Sequence, residues 1–136
     1  MTAPSPYASI TVLVIDDMQS MRLVVKRLLL QIGITSVVEA ADGRSGLDAT
    51  IEWKPTIILC DVHMEPIGGL EFLRLLRSHN VRHLALTPVI FLTSDAQRDT
   101  VIFAKEHRAN GYLVKPVSLA DLKNRIDAVL KGTAPG

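Results

Sequence analysis

The chain predicts a three-layer α/β/α sandwich built on a five-stranded parallel sheet. Two observations carry this. Short runs that are apolar at nearly every position alternate with longer stretches of about 3.6-residue period, and the strand-then-helix alternation repeats five times without a Pro/Gly-rich linker. Strands apolar on both faces need helices on both sides, which right-handed crossovers between parallel strands supply.

Ile10 to Ile15 is β-branched and apolar, the first strand. Met21, Val24, Leu28 and Ile32 then recur at helical steps, and Gly33 stops that helix. Val37, Val38 and Ala40 form a short second strand; Asp42-Gly43 turns or caps the chain into a second helix with Leu47 and Ile51 inward, and Pro55 closes it. Thr56 to Cys60 is the third strand. Gly68-Gly69 opens a third helix with the stripe Leu70, Leu73, Leu76. Pro88 to Leu92 is the fourth strand, and Asp95 to Arg108 a weaker helix built on Val101 and Ala104. Gly111 to Val114 is the fifth strand. Ser118 with Asp121 resembles a capping box, opening a last helix on Leu119, Leu122, Ile126 and Val129.

At 136 residues the chain has room for one domain, expected over residues 10–131, with a poorly ordered tail at 1–9 and a short one at 132–136. Fifteen Lys and Arg against fourteen Asp and Glu give no broad basic footprint, so nucleic acid is not an expected partner. No apolar run approaches the roughly 20 residues that cross a bilayer, no signal peptide opens the chain, and the single Cys60 forms no intramolecular disulfide, all of which fit the cytoplasm.

In a doubly wound sheet the ligand crevice lies at the carboxyl ends of the strands. Those ends carry Asp16 and Asp17, Asp61, Thr93 and Ser94, and Lys115. Carboxylates about 5 Å apart repel by roughly 3 kcal/mol per pair at an effective dielectric near 20, and one lysine cannot neutralise three of them. A divalent cation can. Hard oxygen ligands suit Mg²⁺, with Mn²⁺ as the alternative, and Mg²⁺ leaves positions for phosphate oxygens.

Val14-Ile-Asp-Asp17, Cys60-Asp61, Leu92-Thr93-Ser94 and Gly111-Tyr-Leu-Val-Lys115-Pro116, in this order and each at a strand end, resemble the receiver domain of two-component response regulators over about residues 10 to 131. The resemblance is to the stand-alone, chemotaxis-regulator type. It implies a flavodoxin-like fold with strand order 2-1-3-4-5. It also implies that Asp61 is the phosphoacceptor, and that Asp17, Asp61 and the backbone carbonyl of His63 ligate Mg²⁺ while Asp16 holds a metal-bound water. Lys115 would pair with Asp61 and then with a phosphoryl oxygen, Thr93 would turn its hydroxyl to the new anion, Tyr112 would rotate inward as a switch, and Lys115-Pro116 would be cis.

The expected function is that of a single-domain response regulator, taking a phosphoryl group from a histidine kinase or a histidine phosphotransfer protein and signalling through changed protein contacts. It is not an enzyme with a separate substrate. The output surface would be the fourth helix, fifth strand and fifth helix, about residues 95 to 130, and kinase docking would use the first helix near Met21 to Leu28. A monomer or a weak, activation-dependent dimer is expected. The alternative is a phosphate sink or shuttle without its own target. A flavin binder on the same topology lacks its Ser/Thr/Gly-rich loop after the first strand, a haloacid-type phosphatase would need an Asp-x-Asp that Asp61-Val-His63 does not supply, and the complete Asp/Thr/Lys set argues against a phosphorylation-independent docking module.

Met64-Glu65-Pro66-Ile67-Gly68-Gly69 departs from the family's common Met-Pro-x-Met-Asp-Gly, its proline one place later and its aspartate missing. Glu65 could strengthen metal binding, bond an outer-shell water or point to solvent. His63 and Asp95, each two residues past a site residue, could touch and alter hydrolysis of the phosphoaspartate, or both be solvated. Tyr112 is either a switch or packing. Arg74, Arg77 and Arg82 read as an exposed basic face, His79, His83 and His107 as solvated surface, Trp53 as packing at the end of the second helix, and Cys60 as a buried strand residue.

Overall fold

The computed structural model describes residues 5–94 and 98–132. In chain order the elements are β1 (Thr11–Ile15), α1 (Gln19–Ile32), β2 (Ser36–Ala40), α2 (Gly43–Trp53), β3 (Ile57–Asp61), α3 (Gly69–Arg77), a single turn α4 (Arg82–Ala85), β4 (Val89–Thr93), α5 (Arg98–Glu106), β5 (Tyr112–Val114) and α6 (Leu119–Leu130). The sheet is parallel throughout, in the order β2-β1-β3-β4-β5.

Alternation along the central strands sends apolar side chains to both faces. Leu13, Ile15, Ile58, Cys60, Val89 and Phe91 pack with Phe72, Leu73 and Leu76 of α3 and Ala104 of α5. Val12, Val14, Ile57, Leu59, Ile90 and Leu92 pack with Val25 and Leu29 of α1 and Leu122 and Ile126 of α6. Three layers follow, as expected.

Several helix faces differ from expectation. On α1 the buried pair is Val25 and Leu29, and Val24 is exposed. Apolar residues occupy most positions from Met21 to Leu30, so two staggered i, i+4 series compete and the local period alone does not choose between them. On α2 the inward residues are Gly43, Gly46 and Thr50, with Leu47 half-buried and Ile51 exposed. A side chain at Gly46 would collide with Ile15, so this helix seats itself by backbone proximity, and the Thr50 hydroxyl donates to the Gly46 carbonyl at 2.7 Å. Trp53 and Leu119 are exposed rather than packed.

Two corrections concern chain ends and charge. Residues 5–9 are not a loose tail: Tyr7 is buried against the α1 and α6 side of the sheet, its hydroxyl donates to Asp127 at 2.7 Å, and Lys123 lies 6.0 Å from its ring centre. Arg77 is not part of an exposed basic face. Its guanidinium donates to the carbonyls of Ala85, Thr87, His107 and Arg108 and to Asn110 Oδ1 at 2.8–3.2 Å, tying α3 to α4, the start of β4 and the turn before β5. Burial and the neighbouring Arg108 charge lower its pKa to about 10, so it stays cationic at neutral pH. His107 stacks on Phe103 at 4.0 Å, while His83 is exposed as expected.

Candidate functional site

The carboxyl edge of the sheet brings together the expected residues. Asp16 and Asp17 leave β1, and Asp61 ends β3; one carboxylate oxygen from each lies within 4.8 Å of the others. Asp16 is buried, Asp61 half-buried and Asp17 exposed. Thr93, at the end of β4, is 1% exposed, and its carbonyl accepts the Lys115 N–H at 2.8 Å. From the end of β5 the Lys115 ammonium enters the cluster and donates to Asp16 Oδ2 at 3.0 Å, with Asp61 Oδ1 at 3.5 Å. The lysine is thus shared, and its shorter contact is to Asp16 rather than to Asp61.

Burial pushes the Asp61 carboxyl up from its ordinary value, Lys115 pulls it down and Asp16 pushes it up again, for a net rise. Its Oδ1 also accepts the Val62 N–H at 2.9 Å. Cys60, one residue before it, is fully buried, and that burial holds its thiol well above the usual range. The donor set fits a hard divalent cation: three carboxylates sit closer together than one ammonium can balance, and among the described residues no softer ligand joins the cluster.

Both Glu65-Pro66 and Lys115-Pro116 are cis, the second as expected. His63 and Glu65 are exposed. Gly69 is needed where α3 begins, since a Cβ there would run into the Asp61 carbonyl; its N–H instead donates to Val62 at 2.9 Å. Asp95, and with it any contact to His63, lies outside the described residues. Tyr112 on β5 is 38% exposed, an outward position.

Arg22 was not foreseen. From the first turn of α1 it donates through Nη1 to the Asp16 carbonyl at 2.7 Å and through Nε to Glu39 of β2 at 3.1 Å. An Arg five residues after an Asp pair, with a Glu on the following strand, is the only sequence trace of this arrangement, and neither residue lies on an apolar period.

An acidic cluster with one lysine, at the carboxyl edge of a 2-1-3-4-5 parallel sheet, defines a doubly wound α/β protein whose site lies at its switch point. The chain belongs to the response regulator receiver domain family, whose model matches residues 12–127. It is 33% identical over 121 residues to the chemotaxis protein CheY of Pseudomonas aeruginosa, covering 88% of this chain and 95% of that protein. To CheY-3 of Vibrio cholerae it is 32% identical, covering 88% and 91%. Among solved structures, Vibrio cholerae CheY4 superposes with a TM-score of 0.80 at 31% identity, covering 88% of this chain and 98% of that one. A LuxR-family response regulator from Aurantimonas gives 0.83 at 26% identity, covering 93% and 89%. No helix among the described residues is long and apolar enough to cross a membrane.

Proposed function

We propose that Asp61 accepts a phosphoryl group from a histidine kinase or a histidine phosphotransfer protein, and that the phosphorylated protein signals in the cytoplasm through altered contacts. The observation that carries this is the half-buried Asp61 carboxylate, held between Lys115 and two further carboxylates at the ligand edge of the sheet. A carboxylate oxygen of Asp61 attacks the phosphorus, the P–N bond to the donor imidazole breaks, and the histidine leaves with the electron pair. The chain acts on itself and turns over no separate substrate.

Asp16, Asp17, Asp61 and the His63 carbonyl would hold Mg²⁺, or Mn²⁺ in its place, which when bound offsets the charge of the acidic pocket and of phosphate oxygens. Lys115 orients Asp61 beforehand and then neutralises a phosphoryl oxygen, and the buried Thr93 hydroxyl supplies a hydrogen bond to the same group, so the chain contributes mainly positioning and electrostatics. Exposed Met18, just before α1, and Leu23 and Val24 on it suit docking of the phosphodonor protein. Exposed Ile102, Tyr112, Val114 and Leu119 on α5, β5 and α6 suit the downstream partner, with Tyr112 as the residue whose position reports phosphorylation.

Intact mass after incubation with acetyl phosphate, with and without Mg²⁺, tests the reading. One phosphoryl group gained only with Mg²⁺, and not by Asp61→Asn, is the expected result. No gain in the wild type at any Mg²⁺ concentration overturns it.

A further inference from the structure

We propose that Arg22 is a positioning residue of the acidic pocket, holding the Asp16–Asp17 turn in the shape that receives a divalent cation. The inference rests on the reading of that pocket given above. Every polar group of Asp16 is tied to a different part of the fold. Its N–H donates to Ala40 at the end of β2 at 3.1 Å, Oδ1 accepts the Met18 N–H at 2.9 Å, Oδ2 accepts from Lys115 at 3.0 Å, and its carbonyl accepts from Arg22 at 2.7 Å.

The last of these ties differs from the others in what it controls. The Asp16 carbonyl belongs to the peptide unit that ends at the Asp17 nitrogen, so fixing that oxygen fixes the plane from which the exposed Asp17 side chain departs. The Oδ1 bond to the Met18 N–H closes the turn around Asp17, and the grip on the carbonyl adds the orientation of the peptide plane before it. Glu39 holds the other edge of the guanidinium at 3.1 Å, and the Arg22 side chain is only 15% exposed, so the fork is braced from β2 while it grips β1. A planar guanidinium can serve two acceptors at a fixed angle; a lysine ammonium at the same place is a point charge on a flexible stem.

Positioning and simple electrostatics predict opposite signs. Arg22 is a cation bonded to the backbone of the acidic pocket, so deleting its charge without disturbing the turn would tighten the binding of another cation. Losing the turn geometry would weaken it. Calorimetric titration with MgCl₂ at constant ionic strength, on the full chain and on Arg22→Met, Arg22→Lys and Glu39→Gln, separates the two. The expected result is a Kd raised about tenfold in Arg22→Met, the low end of what outer-shell partners cost. Arg22→Lys should also bind more weakly although its charge is kept, and Glu39→Gln should fall between it and the wild type. Phosphorylation by acetyl phosphate should slow at subsaturating MgCl₂ and recover at saturation.

A lower or unchanged Kd in folded variants overturns the inference, because a merely structural arginine would change the melting temperature and leave Mg²⁺ affinity alone. If Arg22→Met does not fold, Arg22→Lys and Glu39→Gln still decide the sign. A wild type that binds MgCl₂ with variants that match it overturns the role of Arg22 alone; a wild type that binds none overturns the functional reading as well.

Discussion

Arg77 shows how one long side chain can do what a patterned surface cannot. Its guanidinium has five acceptors among the carbonyls of Ala85, Thr87, His107 and Arg108 and the side chain of Asn110, so three segments distant in sequence meet at one cation. Arg77→Met keeps much of the aliphatic bulk but leaves five acceptors, four of them part-buried, without their donor. We expect a loss of about 2–3 kcal/mol in urea unfolding, with Arg77→Lys recovering less than half because three ammonium donors cannot span the same fork. A loss under about 0.5 kcal/mol, the usual scale for an exposed surface residue, would mean that water replaces these bonds without cost. Arg77 and Arg22 were both illegible in the sequence for the same reason: apart from Asn110 and Glu39, their partners are backbone carbonyls, which every residue has. By contrast Asp16, Asp17, Asp61, Thr93 and Lys115 were legible because each ends a strand of a parallel sheet, and topology alone then brings them to one edge.

At the scale of elements, strands were easier to read than helix faces. A doubly buried strand is apolar at every position, so Ile57 to Cys60 leaves no choice of face, whereas α1 offers two staggered stripes and α2 seats on glycines that carry no hydrophobic signal. The one-turn α4 is too short to show a period at all. Of the segment before β1, whose two prolines suggested a loose tail, the described residues 5–9 are held by Tyr7 on α6. That anchor has a pH signature. The Lys123 ammonium donating to Asp127 at 2.8 Å, with help from the Tyr7 hydroxyl, holds the Asp127 carboxyl below its ordinary value. A carboxyl depressed in the fold contributes stability above its unfolded pKa and loses it as pH falls through the folded one. Asp127→Asn should therefore cost little at acid pH and more near neutrality, flattening the acid limb of a stability–pH curve from urea unfolding. Tyr7→Phe, which removes part of the same depression, should flatten the limb less than Asp127→Asn does and cost about 0.5–1 kcal/mol near neutrality. A mutant curve parallel to the wild type across the acid range would remove Asp127 as the source of that limb.

For the molecule as a whole, the pocket is a place where folding works against itself. Three carboxylate oxygens lie within 4.8 Å of one another with one lysine among them, so folding without a cation gathers like charge that the unfolded chain keeps apart. Asp17 is the member most open to water, which limits its share of the repulsion to about 1 kcal/mol. Asp17→Asn should accordingly raise the melting temperature of the metal-free protein by roughly 3 °C, a gain from removing a residue of the site. Adding MgCl₂ at about 100 times its Kd should reverse the order, since a ligand that binds only the folded state then contributes about 2.7 kcal/mol, roughly 8 °C for a domain this size. The mutant, short of one ligand, should gain far less. Melting curves of the two proteins across a MgCl₂ series should therefore cross. If Asp17→Asn is the less stable protein at every concentration, including none, the turn is held by bonds to the Asp17 carboxylate that outweigh its repulsion. If neither protein responds to MgCl₂, the acidic cluster stabilises nothing by binding it, and its charge must be balanced within the chain.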